Sequence, residues 1–132
     1  MNNSVDPTIP GGAEGFLSRL SRTISERQHG DAETSYVAKL YAKGEDAALK
    51  KVGEEAAEFI MAAKDASRAA LYSEPLDARS KMQAKLVAEA ADLWFHTLVA
   101  LARHDLGAAE VIAELARREG LSGLEEKANR SS

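Results

Sequence analysis

Two stretches of this sequence combine an apolar stripe at helical spacing with acidic residues beside it. The first, LKKVGEEAAEFIMAA, occupies residues 49–63, and the second, LVAEAADLWFHTLVAL, occupies residues 86–101. Apolar positions that recur every three or four residues indicate two amphipathic helices, each with one face to bury. The stripe of the first helix consists of Leu49, Val52, Ala56, Phe59, Ile60 and Ala63. The stripe of the second consists of Leu86, Ala90, Leu93, Thr97 and Leu101.

The acidic residues stand at equivalent positions on the two helices. At about 100° per residue, Glu55 lies about 60° and Glu58 about 120° from Val52 around the first helix. Glu89 and Asp92 stand at the same offsets from the first residue of the second stripe. Two helices that pack by their stripes are therefore predicted to bring two pairs of carboxylates to one seam.

The composition is that of an all-α protein. Apolar residues make up 45% of the 132 residues, with few aromatic residues and only three prolines. Alanine supplies much of the apolar fraction, and alanine is the strongest helix former. A chain of this length is expected to fold as one domain with a single core of modest size.

Charge and cysteine content exclude several classes of protein. A formal net charge of −4 argues against a protein that coats nucleic acid and against a basic membrane anchor. The absence of cysteine excludes disulfides, a thiol nucleophile and a thiolate metal site. No apolar run approaches the ~20 residues needed to span a bilayer. We therefore expect a soluble, cytoplasmic protein without a nucleic-acid or membrane partner.

The domain is predicted to extend over residues 16–120, between a disordered N-terminal tail at 1–15 and a polar C-terminal tail at 121–132. Short helices are expected from Phe16 to about Gln28 and around residues 36–43, where Thr34 or Ser35 is placed to cap the second one. The two long helices should cover about 45–68 and 80–104, and a last helix should cover 108–119.

The acidic rows have an ordinary interpretation as well as a functional one. Lysine–glutamate pairs four residues apart are common on solvated helix faces, where each adds a few tenths of a kcal/mol. Glu89 and Asp92, however, lie in one of the most apolar segments of the chain. Acids near a buried seam are costly unless they are protonated, paired or bound to metal. Four converging acids thus favour a hard cation such as Mg²⁺, which is commonly shared with substrate phosphates.

The motifs also carry a family resemblance. EExxE over residues 54–58, followed by ExxD over residues 89–92, resembles the all-α nucleotide pyrophosphohydrolase (MazG-like) superfamily. More narrowly, LYAKGEDAALKKVGEEAAEFIMAAK and LVAEAADLWFHTLVAL resemble the phosphoribosyl-ATP pyrophosphohydrolase family. The resemblance covers about residues 17–118. It implies Mg²⁺-dependent hydrolysis of phosphoribosyl-ATP to phosphoribosyl-AMP and pyrophosphate, the second step of histidine biosynthesis.

The resemblance also implies roles for the acidic residues. By position in the motifs, Glu55, Glu58, Glu89 and Asp92 would be the metal ligands. Glu54, one residue off the row, would act from outside the ligand set or help to orient the attacking water.

Nearby basic residues complete the predicted site. Lys50, Lys51 and Lys85 would bind phosphate oxygens as point charges, although each is equally well placed to pair with an acid four residues away. His96, one turn beyond the last acid, would touch the substrate or support a ligand. An interior histidine with satisfied hydrogen bonds is the alternative for that residue.

Two long helices with small-residue stripes form only half of a four-helix bundle, so a homodimer with a site near each seam is predicted. Phe59, Leu93 and Trp94 are expected to be mostly buried in that dimer. Two alternatives stay open at this point. One is a MazG-type enzyme that acts on a (deoxy)nucleoside triphosphate, and the other is a non-enzymatic helical dimerisation module whose acids face solvent.

Overall fold

A computed structural model of the protein describes residues 8–72, 74–119 and 123–131. The regular elements within these ranges are all α-helices, so the predicted all-α class is confirmed. The helices are α1 (Gly12–Arg27), α2 (Tyr36–Ala42), α3 (Glu45–Leu71), α4 (Leu76–Ala102), α5 (Ala108–Arg118) and α6 (Gly123–Arg130).

Helices α2, α3 and α5 lie within about three residues of their predicted bounds, whereas α4 begins at Leu76, four residues before the predicted start. Ser35 caps α2 by accepting a hydrogen bond from the Ala38 N–H at 3.2 Å. Helix α1 begins four residues before the predicted Phe16, because Gly11 takes a left-handed conformation with a φ of 76° and turns the chain into the helix. Residues 123–130, expected to be a polar tail, form α6. The parts of the predicted tails at 1–7, 120–122 and 132 lie outside the described residues.

Helices α3 and α4 form a hairpin with the most extensive contact between any two elements in the described chain. The buried residues of α3 recur every seven positions, at Ala48, Glu55, Ala62 and Ala69. A seven-residue spacing keeps one narrow line of side chains directed at a partner helix. Three of these four side chains are alanines, so the two backbones can approach closely. The fourth is Glu55, and packing therefore places this carboxylate inside the seam.

The stripe predicted for α3 is partly wrong within one subunit. Leu49 and Ile60 are 51% and 60% exposed, whereas Glu55, expected on the flank of the stripe, is only 6% exposed. Helix α3 has apolar side chains on two faces, and α4 packs on the face of short side chains. On α4, Thr97 of the predicted stripe is exposed and its neighbour His96 is buried instead.

Helices α1, α2 and α5 cover one end of the hairpin. They enclose a small core of Ile24, Val37, Leu40, Ala48, Leu98, Val99, Ala102 and Ala108. At the start of α5, the Ala108 N–H donates to the Ser21 hydroxyl at 2.9 Å. The Arg103 guanidinium donates to the Tyr41 carbonyl oxygen at 2.8 Å and lies 4.1 Å from the centre of the Tyr41 ring. These contacts fix α1, α2 and α5 beside α4, and they bring the beginning of α2 near the acidic seam.

None of the helices in the described part of the chain combines the length and the apolar character required to cross a lipid bilayer.

Candidate active site

Three of the four predicted metal ligands meet at the α3–α4 seam. Glu55, Glu58 and Glu89 each place a carboxylate oxygen within 4.8 Å of the other two. Glu55 and Glu58 are one helical turn apart on α3, and Glu89 reaches this position from α4. Glu55 is buried, Glu89 is half-buried and Glu58 is exposed. The group is therefore anchored in the seam at one side and open to solvent at the other.

Asp92, the fourth predicted ligand, is not a member of this group among the described residues. Its side chain is exposed, while its backbone carbonyl oxygen lies 2.7 Å from Nδ1 of His96. Asp92 follows Glu89 by one helical turn, so the two side chains leave α4 on the same side. Its assignment as a metal ligand stays a prediction.

The two carboxylate oxygens of Glu55 differ in the number of polar partners that they have. Its Oε1 atom lies 3.3 Å from Nζ of Lys51 and 3.9 Å from Nδ1 of His96. Its Oε2 atom is buried and has no hydrogen-bond donor in the described structure. Leaving a charged group buried without a partner costs free energy, so an orphaned carboxylate oxygen calls for a missing ligand. A cation at this atom is one arrangement that would satisfy it.

Repulsion from the neighbouring carboxylates acts on Glu58. The negative charge of Glu55 raises the pKa of the Glu58 carboxyl above its usual value, with smaller contributions from burial and from Glu89. Such a shift means that three negative charges at this distance are unfavourable without compensation. A bound cation would remove the repulsion.

Two of the three predicted phosphate-binding lysines are paired with acids of the same helix. Lys51 Nζ lies 3.2 Å from Glu54 and 3.3 Å from Glu55, and hydrogen bonds to these two carboxylates raise the pKa of Lys51. Lys50 lies 3.9 Å from Glu54. Lys85 is exposed, and no ion pair links it to another described residue. Glu54 forms ion pairs with both lysines and lies outside the carboxylate group, and its role in orienting water stays a prediction.

His96 connects the acidic seam to α2. Because a carbonyl oxygen can only accept, Nδ1–H of His96 donates to the Asp92 carbonyl. In the neutral ring Nε2 is then an acceptor, and the Tyr36 hydroxyl donates to it at 2.8 Å. The imidazole is 6% exposed, whereas Tyr36 is 50% exposed. Direct contact of His96 with substrate stays a prediction, and in the subunit its ring lies between the carboxylates and Tyr36.

Tyr36 contacts His96 beside the carboxylate group, and the sequence did not predict this contact. In the sequence it is one aromatic residue of a short apolar helix, and its hydrogen-bond partner lies 60 positions later. No local pattern marks such a pair, since only the packing of α2 against α4 brings the two side chains together.

The chain is similar to known proteins over most of its length. A family model described as phosphoribosyl-ATP pyrophosphohydrolase matches residues 17–119. A protein of Methylibium petroleiphilum named phosphoribosyl-ATP pyrophosphatase is 57% identical over 114 residues, which cover 86% of this chain and 82% of that protein. Proteins with the same name from Burkholderia thailandensis and Burkholderia mallei are 52% and 53% identical. Their alignments cover 94% and 89% of this chain, and 89% and 87% of those proteins.

Proposed function

Because this chain belongs to the phosphoribosyl-ATP pyrophosphohydrolase family, we propose that its acidic seam holds Mg²⁺ while it hydrolyses phosphoribosyl-ATP. The reaction is the second step of histidine biosynthesis. It cleaves the bond between the α and β phosphates and yields phosphoribosyl-AMP and pyrophosphate. The chain is therefore a hydrolase, and we propose that it works in the cytoplasm.

The observation that carries the metal assignment is the carboxylate group itself. Three carboxylate oxygens lie within 4.8 Å of one another, and the buried Oε2 of Glu55 beside them lacks a donor. Oxygen-only donor sets suit Mg²⁺, whereas softer metals are held by imidazole or thiolate ligands. Glu55, Glu58 and Glu89 would hold the ion, and Asp92 would join them from the next turn of α4. The open side of the group leaves room for phosphate oxygens.

The remaining residues act around that group. When bound, Mg²⁺ supplies positive charge for the phosphate oxygens and lowers the pKa of a nearby water. Glu54 orients the attacking water from outside the ligand set. Lys85, which has no ion-pair partner among the described residues, binds phosphate oxygens at the rim, and Lys51 balances the charge of Glu55. His96 fixes the turn of α4 that carries Asp92 by its hydrogen bond to the backbone.

The proposed function is tested by pyrophosphate release from a panel of substrates, with and without Mg²⁺. Phosphoribosyl-ATP should be turned over far faster than ATP or any deoxynucleoside triphosphate, and a chelator should stop the reaction. Preferential turnover of a deoxynucleoside triphosphate would contradict the proposed substrate. Undiminished turnover in the chelator would contradict the metal.

Substitutions at Glu54 and Glu58 should affect kcat and Mg²⁺ binding differently. Glu54 lies about 100° around the helix from Glu55 and is paired with lysines, so Glu54→Gln should lower kcat by more than it weakens Mg²⁺ binding. Glu58→Gln removes a member of the carboxylate group and should impair both together. Calorimetric titration with Mg²⁺ and steady-state kinetics measure the two quantities. Equal losses of Mg²⁺ affinity in both variants would make Glu54 a direct ligand.

Magnesium should raise Tm in a way that depends on pH. The pKa of Glu58 is higher in the folded state than in the unfolded chain, so the metal-free protein gains stability as the pH falls through the folded-state pKa and loses it as the pH rises. Mg²⁺ requires the unprotonated carboxylate and competes with that proton. The increase in Tm on adding Mg²⁺ should therefore shrink as the pH is lowered from about 8 towards the ordinary range of glutamate. An increase that is the same at every pH would show that Glu58 does not bind the ion.

We further propose a homodimer built on the open face of the α3–α4 hairpin. The large apolar side chains of Leu49 and Ile60 on α3, and of Val87 and Trp94 on α4, are 51–69% exposed in the subunit. Trp94 also lines an apolar groove of about 360 Å³ between α1, α4 and α5. Exposed apolar surface of this kind marks an interaction site, and a second hairpin would complete a four-helix core.

A further inference from the structure

A small cavity lies near the carboxylate group but is separate from it. It has a volume of about 160 Å³ and is lined by parts of α1, α2 and α4 and by the loop before α2. Sites for whole drug-sized ligands usually occupy about 300–1,000 Å³, so this cavity suits a fragment of a nucleotide. Thr23, Arg27 and Thr34 supply polar groups to its lining, and Tyr36 and Phe95 supply aromatic rings.

The charge of this cavity is opposite to that of the acidic seam. Arg27 is the single charged residue among the described residues that line it. The guanidinium of Arg27 makes no hydrogen bond or ion pair with any described residue, in contrast to Lys50 and Lys51, which are both paired with glutamates. An arginine that has no acidic partner and lies at the edge of a cavity without carboxylates is placed to bind an anion, and its planar fork matches a phosphate.

Tyr36 joins the cavity to the carboxylate group. It lines the cavity, and its hydroxyl donates to Nε2 of His96 at 2.8 Å. On the other side of that imidazole, Nδ1 lies 3.9 Å from Oε1 of Glu55. The imidazole of His96 therefore lies between the wall of this cavity and the carboxylate group. The cavity is suited to an anion, and the carboxylate group is suited to a cation. A ligand with phosphates at two ends can bridge the two.

The proposed substrate has phosphates at two ends, and the inference rests on the proposed function. Phosphoribosyl-ATP carries a triphosphate at one end and the phosphate of a second ribose at the other. We propose that the cavity receives the phosphate-bearing ribose of the phosphoribosyl group and that Arg27 binds its phosphate. Thr23 offers its hydroxyl to the sugar, and Thr34, whose hydroxyl donates to the Asp31 carbonyl at 3.4 Å, offers its oxygen as an acceptor. The triphosphate, which contains the scissile bond, then lies towards the acidic seam.

The test compares Arg27→Gln with Arg22→Gln, which removes an exposed arginine of the same helix that does not line the cavity. In Arg27→Gln the KM for phosphoribosyl-ATP should rise about 10–100-fold, the range expected for losing a charged hydrogen bond. Its kcat should change by less than about twofold, because the scissile bond lies at the opposite end of the substrate. Arg27→Lys should restore part of the affinity, since it keeps the charge without the fork. Arg22→Gln should behave as the unmodified protein.

Two inhibitors identify which part of the substrate Arg27 contacts. Phosphoribosyl-AMP contains the second ribose phosphate and AMP does not, so Arg27→Gln should weaken inhibition by phosphoribosyl-AMP alone. An equal loss for both inhibitors, or an unchanged KM for phosphoribosyl-ATP, would overturn the assignment. Calorimetric Mg²⁺ affinity without substrate and Tm should be the same in Arg27→Gln as in the unmodified protein, and a loss of either would make Arg27 a structural residue. If the unmodified protein releases no pyrophosphate from phosphoribosyl-ATP, the proposed function fails instead.

Discussion

Replacing Glu55 with glutamine is expected to lower kcat/KM for phosphoribosyl-ATP by at least about 100-fold, because removing even a supporting partner of a metal ligand costs about 10–100-fold. Glu55 is the buried member of the carboxylate group, and its orphaned Oε2 is the atom best placed to bind the ion. Glutamine keeps the shape of the side chain but offers a neutral amide to the metal. Turnover at saturating Mg²⁺ and calorimetric Mg²⁺ affinity measure the loss.

The same substitution should leave the fold intact. Three carboxylates within 4.8 Å repel one another in the metal-free protein, so removing one charge should leave Tm unchanged or raise it. Asp65→Asn is the matched control, because Asp65 is an exposed acid of α3 outside the carboxylate group, and it should alter neither turnover nor Mg²⁺ binding. Asp92→Asn is expected to reduce turnover as Glu55→Gln does. Wild-type turnover in Glu55→Gln at saturating Mg²⁺ would refute the metal assignment.

Replacing Trp94 with alanine is expected to dissociate the proposed dimer. Within one subunit the side chain is 63% exposed, so its removal should cost the isolated subunit little. If a second hairpin buries the ring, the loss approaches the about 3–5 kcal/mol that is typical of a buried tryptophan. A loss of about 3 kcal/mol corresponds to more than about 100-fold in the dissociation constant. Sedimentation at micromolar concentration should then show a dimer for the unmodified protein and a monomer for Trp94→Ala.

Phe16→Ala provides the control for this experiment. Phe16 is also an exposed aromatic residue, at 45%, but it belongs to α1 and does not line the groove that Trp94 lines. Its removal should leave the dimer unchanged. Sedimentation of the unmodified protein as a compact monomer at all concentrations would count against the dimeric bundle, and it would leave the exposed apolar face of α3 and α4 unexplained.

The sequence by itself determined the two long helices and the convergence of three acidic residues, but it did not indicate α6. Alanine-rich composition and three- and four-residue periodicity predicted α3 and α4, since helix formation depends on neighbouring residues along the chain. The spacing of EExxE and ExxD was enough to predict that Glu55, Glu58 and Glu89 share a seam, because helical geometry fixes the side on which each residue projects.

Only the tertiary structure decided which face of each helix is buried. The periodicity of α3 allows two apolar faces, and packing chose the line of alanines with Glu55, leaving Leu49 and Ile60 open. The contact of Tyr36 with His96 likewise depends on how α2 docks beside α4. Periodicity in the sequence indicates which residues share one face of a helix. Which residues that face contacts depends on how segments distant in the sequence pack together. For this reason the convergence of Glu55, Glu58 and Glu89 was predictable from local spacing, and the cavity beside Arg27 was not.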